Sequence, residues 1–167
     1  GTREGGRGSA RWAKAAIVPW FRAAALRFGT IATSMRFADA TGAVTWGPGP
    51  LEEHHHLELA WYAIHPIEML FAVLGPGCEE VTRTSGKDAE EITCRWKDGR
   101  RGTVRALRPY GEYGAVVFRP KAVAQSPEKT GFSYIPLMTE IVKFFQTGKP
   151  PVPNDETLEM FAFMDAA

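Results

Sequence analysis

"EEITCRWKDGRRGTVRALR", Glu90 to Arg108, decides what kind of molecule this is. The runs 90–96 and 102–108 flank "KDGR", and Asp98-Gly99 between two such runs is the strongest short-range signal for a β-hairpin. Two antiparallel strands are predicted here, and "YGAVVFR" at 113–119 supplies another. Upstream, "AVTW" reads as a strand and "GPGPLEE" as the loop after it. Downstream the period changes. "SYIPLMTEIVKFFQTGKPP" predicts an amphipathic helix with Leu137, Ile141, Phe144 and Phe145 on one face, Gly148 just past its end and Pro150 beyond. "NDETLEMFAFMDAA" opens with an N-cap candidate at Asn154 and acids in its first turn, then runs apolar to the last residue. With no stop signal there, the chain is expected to be cut inside a helix.

The opening of the chain differs in composition. "GTREGGRGSAR", residues 1–11, is Gly- and Arg-rich without apolar periodicity, the signature of a disordered tail. Alanines and Ile17 suggest the end of a helix, "IVPWF" a short strand broken by Pro19, and "IATSMRFADA" (31–40) a helix stopped by Gly42. Residues 1–36 carry seven Lys/Arg against one acid, the remainder thirteen against eighteen, and the net charge is only +1. That balance argues against a dedicated polyanion binder, and arginines without interleaved aromatics argue against a nucleic-acid arm. At 167 residues, 44% apolar and 23% charged, one domain with an ordinary core is expected. No uninterrupted apolar run is long enough to span a bilayer, and no secretory h-region precedes a cleavage site. Cys78 and Cys94 lie in no CxxC or zinc spacing, so a reducing, cytoplasmic setting is the expectation.

Chemistry concentrates in "LAWYAIHPIEMLFAVLG", Leu59 to Gly75, apolar except near its middle. On a helix, Tyr62, His65 and Glu68 are three apart and form a narrow polar stripe among Leu, Ile, Met, Phe and Val. A carboxylate is rarely buried without a partner. Glu68 is spaced to hold His65 in one tautomer and raise its basicity, which suits a general acid/base. Pro66 removes a helical donor and biases His65 away from helix, placing it at the helix entrance. A satisfied core histidine beside a glutamate explains the same spacing equally well.

Other clusters are less specific. "EEHHH", Glu52 to His56, offers metal-ligand types, with His54 and His56 on one side of an extended segment, but an exposed loop is the simpler reading. His55 is kept as a substrate-contact candidate. Arg105 and Arg108 either clamp an anionic or polyol substrate or lie on the wet face of the sheet. "GGRGSA" lacks the third glycine of a nucleotide loop, and "GPGP" and "GPGC" are proline-broken turns.

Several blocks in order carry a family resemblance: "VPWFRAAALRF", "GPLEEHH", "WYAIHPIEMLFAVLGPGCEEVTR", "RWKDGRRGTVRALR", "IVKFFQTGKPPV" and "ETLEMFAFMDAA". Over roughly residues 12–167 the chain resembles the later part of Gfo/Idh/MocA-type oxidoreductases. The resemblance implies an α+β fold, with an open, mainly antiparallel sheet and helices packed on one face. It makes 12–36 the end of a nucleotide-binding domain with its connection, and 37–167 a substrate-binding and oligomerisation domain. Members carry a catalytic histidine in D-x-G-x-H followed three residues later by an acid. The corresponding positions are Trp61, Ala63, His65 and Glu68, so the histidine and acid match while tryptophan replaces the aspartate and alanine the glycine.

The resemblance further implies an oxidoreductase acting on a sugar, polyol or related hydroxyl compound. NAD or NADP would serve the complete enzyme, with hydride passing to or from nicotinamide while a base handles the hydroxyl proton. The nucleotide loop and the lysine-bearing E-K-P segment belong to the upstream half, so the chain alone is expected to bind no cofactor. His65 and Glu68 are the catalytic candidates; Tyr62, Arg105, Arg108 and His55 are the substrate-contact candidates. A small-molecule substrate and a homo-oligomer through the sheet face are the implied partners, with neither nucleic acid nor membrane. A non-catalytic dimerisation or ligand-binding module is the alternative.

Overall fold

The computed structural model describes residues 35, 37–51, 58–109, 111–127 and 134–167. The expectations for the first 34 residues and for the His54–His56 tract, His55 included, fall outside these. Six strands form one sheet: β1 (Gly42–Pro48), β2 (Cys78–Ser85), β3 (Ala89–Trp96), β4 (Arg101–Leu107), β5 (Gly114–Arg119) and β6 (Ala122–Gln125). Their spatial order is β2-β3-β4-β1-β5-β6, and only β1 and β4 run parallel. The described residues form three α-helices: α1 (Ile64–Leu74), α2 (Ile135–Thr147) and α3 (Asn154–Ala166). This is the expected α+β class with an open, mainly antiparallel sheet.

The decisive hairpin forms with a three-residue loop. Trp96 N–H donates to Arg100 O at 2.8 Å and Gly99 N–H to Trp96 O at 2.9 Å. Gly99 is at φ 87°, and among the described residues none other than glycine has positive φ. Asp98 therefore stays right-handed, and the loop combines a type I turn with a left-handed glycine instead of a two-residue type I′ turn.

Strand alternation then sorts the two faces. Thr45, Val104, Ile92, Cys94, Trp96, Ala115 and Val117 are buried on the face that meets α1 and α3. Thr45 Oγ1 donates to Pro66 O at 2.7 Å and pins the start of α1 to β1. At the other end, Trp96 Nε1 donates to Gly75 O at 2.8 Å and Arg100 Nη1 to Leu74 O at 2.7 Å. The hairpin thus satisfies the last carbonyls of α1, the orphans that every helix leaves. Phe71 packs between Trp96 (5.7 Å) and Phe163 of α3 (5.6 Å). Burying a side chain of this size contributes about 2–3 kcal/mol.

Three local expectations are corrected. The helix foreseen over 31–40 is a turn in its described part, 37–40, where Ala40 N–H bonds Phe37 O. Tertiary partners hold that turn: Arg119 forks onto Asp39 at 2.7 and 3.0 Å and lies 4.3 Å from the Phe37 ring centroid. Gly42 opens β1. The stripe of Tyr62, His65 and Glu68 does not share one helix: a 3-10 turn (Glu58–Ala60) and a turn at 61–63 lead into α1 from Ile64, so His65 stands at the helix entrance as Pro66 implied while Tyr62 lies before it. Finally, α3 has Pro153, not Asn154, at its N-cap. Strands β2 and β6 were not foreseen, because "CEEVTRTS" is polar on both faces and "AVAQ" is only four residues long.

Candidate active site

His65 enters the structure at the second residue of α1, with Pro66 next to it. Proline is tolerated in a first turn because its missing N–H would have no helical partner there. His65 Nδ1 lies 3.5 Å from Glu68 Oε2, one turn along the same helix. Glu68 is 2% exposed and the His65 side chain 25%, so the carboxylate is inside and the imidazole at the boundary. A neutral imidazole that donates from Nδ1 to this carboxylate carries its lone pair on Nε2, the form that can accept a proton.

Rings surround the imidazole. Tyr62 meets it edge-to-face at 5.9 Å, and Tyr113 lies tilted at 6.2 Å. Tyr62 belongs to the bend before α1, so the expected stripe is assembled by a turn and a helix together. Tyr113, which precedes β5, was missed from sequence; the glycines at 111 and 114 around an aromatic at a strand entrance were the available signal. Its position depends on Gly47, where a Cβ would lie 2.4 Å from the Tyr113 ring.

The two arginine candidates are not brought to His65. Arg105 pairs in register with Trp46 and projects from the sheet face opposite α1, where its Nε lies 3.4 Å from Glu91 Oε2. Arg108 Nη2 lies 2.8 Å from Glu90 Oε1, and the same guanidinium donates to the Gly86 and Lys87 carbonyls. Glu90 is 1% exposed and also accepts from Arg83 Nε (2.7 Å) and Ser85 Oγ (2.6 Å). Burial works to raise its pKa, but Ser85, Arg83 and Arg108 together outweigh this and hold the carboxyl below its ordinary range. Arg83 extends the network to Glu58 of the 3-10 turn at 2.9 Å, three residues before Trp61. These charges therefore brace the segment that carries the site.

Among the described residues no cluster of His, Cys, Asp or Glu has metal-binding geometry, and no helix is long and apolar enough to cross a membrane. A dinucleotide pyrophosphate wants a glycine-rich turn leading into bare helix N–H groups. The described helices do not fit that need: α1 has Pro66 in its first turn, α2 begins Ile135-Pro136, and α3 is preceded by Pro153. A concavity of about 550 Å³ lies along α2, lined by Tyr134, Ile135, Met138 and Val142, and contains none of the residues around His65.

No protein-family model matches the chain, and no curated protein matches its sequence. Solved structures do match. GenD2 of gentamicin A biosynthesis, solved with NAD, aligns with a TM-score of 0.62 at 12% identity, over 84% of this chain and 57% of that one. A protein from Sinorhizobium meliloti, proposed to be a myo-inositol dehydrogenase, gives 0.63 at 14% identity over 84% and 58%. The WlbA dehydrogenase from Bordetella pertussis, complexed with NADH and UDP-GlcNAcA, gives 0.54 at 16% identity over 84% and 54%. The chain spans a little over half the length of each. At these identities the likeness is one of fold.

Proposed function

We propose, for a chain whose fold is that of the C-terminal part of Gfo/Idh/MocA-type oxidoreductases, that it forms the substrate-binding and assembly part of an NAD(P)-dependent oxidoreductase. The substrate is a sugar, polyol or related hydroxyl compound. The observation that carries this reading is the His65–Glu68 pair at a helix entrance, partly open to solvent and ringed by Tyr62 and Tyr113. His65 takes the hydroxyl proton at Nε2, Glu68 orients the imidazole and offsets the charge it gains, and Tyr62 contacts substrate. The described residues do not cradle a dinucleotide, so their share is binding, orientation and proton transfer. The outer sheet face, apolar along β1, β5 and β6, supports assembly of copies. The same face favours the second reading, a dimerisation module without turnover of its own.

The test is NAD(P)+ reduction by the polypeptide that joins this sequence to its nucleotide-binding segment, assayed across sugars and polyols. His65→Asn keeps a donor for Glu68 and removes the base, so kcat should fall about 10²–10⁴-fold with the melting temperature nearly unchanged. Unchanged turnover removes His65 from the chemistry. Absence of turnover on every hydroxyl substrate favours the dimerisation module.

A further inference from the structure

We propose that Cys78 and Cys94 form a reversible redox site, in which Cys78 attacks a small external disulfide such as oxidised glutathione and Cys94 then resolves the adduct into a Cys78–Cys94 bridge. This site is independent of the reading of His65.

Strand register brings the two thiols together. Cys78 opens β2 opposite Trp96, and Cys94 stands two residues before Trp96 on β3, so all three side chains share the face that meets the helices. Cys78 packs against the core to which Cys94 and Trp96 belong. Diagonal neighbours on a regular ladder lie about 7–8 Å apart, just beyond the Cα separation of about 4.4–6.8 Å that a disulfide spans. Here the ladder is not regular: a register shift between Cys78 and Glu80 marks a bulge, which increases the local twist. Among the described residues β2 pairs with β3 alone, so the remaining approach disturbs no second strand. Interaction between the two thiols already lowers the pKa of Cys78 and raises that of Cys94.

Access assigns the roles. Cys78 is half-buried, whereas Cys94 is 5% exposed. Cys94 Sγ donates to Gly102 O at 3.2 Å, and a Cβ on Gly102 would lie 3.0 Å from that sulfur. No external disulfide fits there, so Cys78 is the thiol that meets it, and its thiolate is the more available nucleophile. The thiolate attacks one glutathione sulfur, the glutathione S–S bond breaks, and one glutathione leaves. Cys94 then attacks the Cys78 sulfur of the adduct and expels the second. Two protein thiols are oxidised, one external disulfide is reduced, and the two thiol protons end on two glutathione molecules. The bridge staples the edge strand where Trp96 Nε1 holds Gly75 O, at the end of α1. His65 sits at the other end of that helix, roughly 14 Å along its axis.

Intact mass and peptide mapping of the 167-residue chain, reduced and then exposed at low protein concentration to oxidised glutathione, test this. The mass should rise transiently by one glutathione and settle two hydrogens below the reduced chain, with one peptide pair joined through Cys78 and Cys94. Millimolar reduced glutathione should reopen the bridge. Cys94→Ala should stop at the singly glutathionylated chain, modified at Cys78, and Cys78→Ser should stay unmodified while folded. The wild-type map reads the same point if either variant fails to fold. No reaction at Cys78, a lasting Cys78 adduct beside a free Cys94, a disulfide joining two chains, or a bridge that reduced glutathione does not reopen overturns the proposal.

Discussion

At the scale of single residues, environment separates side chains that sequence treats alike. Cys78 and Cys94 are both free thiols, the first half-buried and the second buried. Interaction with the neighbouring Cys94 thiol lowers the pKa of Cys78, while that same interaction and burial push Cys94 far up. Since the thiolate is the nucleophile, iodoacetamide should label Cys78 first in the native protein, read by peptide mass spectrometry. Labelling of Cys94 first would contradict the assignment. The candidate site was legible in the same uneven way. His65 and Glu68 could be named because a three-residue spacing on a helix brings side chains together whatever the fold. Tyr113 could not, because its approach to His65 depends on a missing Cβ at Gly47, 66 residues away in sequence. Whether Arg105 clamps substrate or lies on the wet face stayed open in the sequence, because face assignment needs the register of the sheet, and that register puts it beside Trp46 on the outer side.

At the scale of elements, the hairpin and α1 formed largely where local signals put them, and the charge network around β3 did not announce itself. Glu90 was placed in a strand with no face assigned. Its position on the face of Ile92 and Cys94 buries it, and two arginines and a serine make that burial tolerable. Because its folded pKa lies below the unfolded value of about 4.3, its contribution is present above that pH and is lost as pH falls through the folded value. Glu90→Gln should cost on the order of 3 kcal/mol at pH 7. It should also flatten the acid limb of urea midpoints measured from neutral pH downward. Parallel profiles for wild type and variant would show that the carboxylate contributes nothing pH-dependent. Pro66 stands at a helix start as expected, whereas at 37–40 the expected helix gives way to a turn because the Arg119–Asp39 fork and Phe37 hold a conformation that no local propensity encodes.

At the scale of the whole molecule, α1 and α3 pack on one sheet face, and among the described residues no helix packs comparably on the other. Val44, Trp46, Val116, Phe118 and Val123 lie on that other side by register, with Phe118 and Val123 well exposed. Apolar surface of this kind marks association sites. Sedimentation velocity should therefore find copies associating, and Phe118→Arg should yield monomers; a monomeric wild type at all concentrations would refute assembly through this face. Calorimetry with NADH and NADPH should give no saturable micromolar binding to the folded chain, and binding would reveal a nucleotide site elsewhere in it. Sequence by itself determined four strand runs (β1, β3, β4 and β5), the hairpin, the helix entrance at Pro66 and the pairing of His65 with Glu68, all set by contacts within a few residues. Only the tertiary structure decided which face Arg105 and Glu90 occupy, that Tyr113 joins His65, and that Trp61 and Tyr62 stand exposed beside it. Those outcomes depend on pairing between strands far apart in the chain, where a shift of one residue moves every side chain to the opposite face.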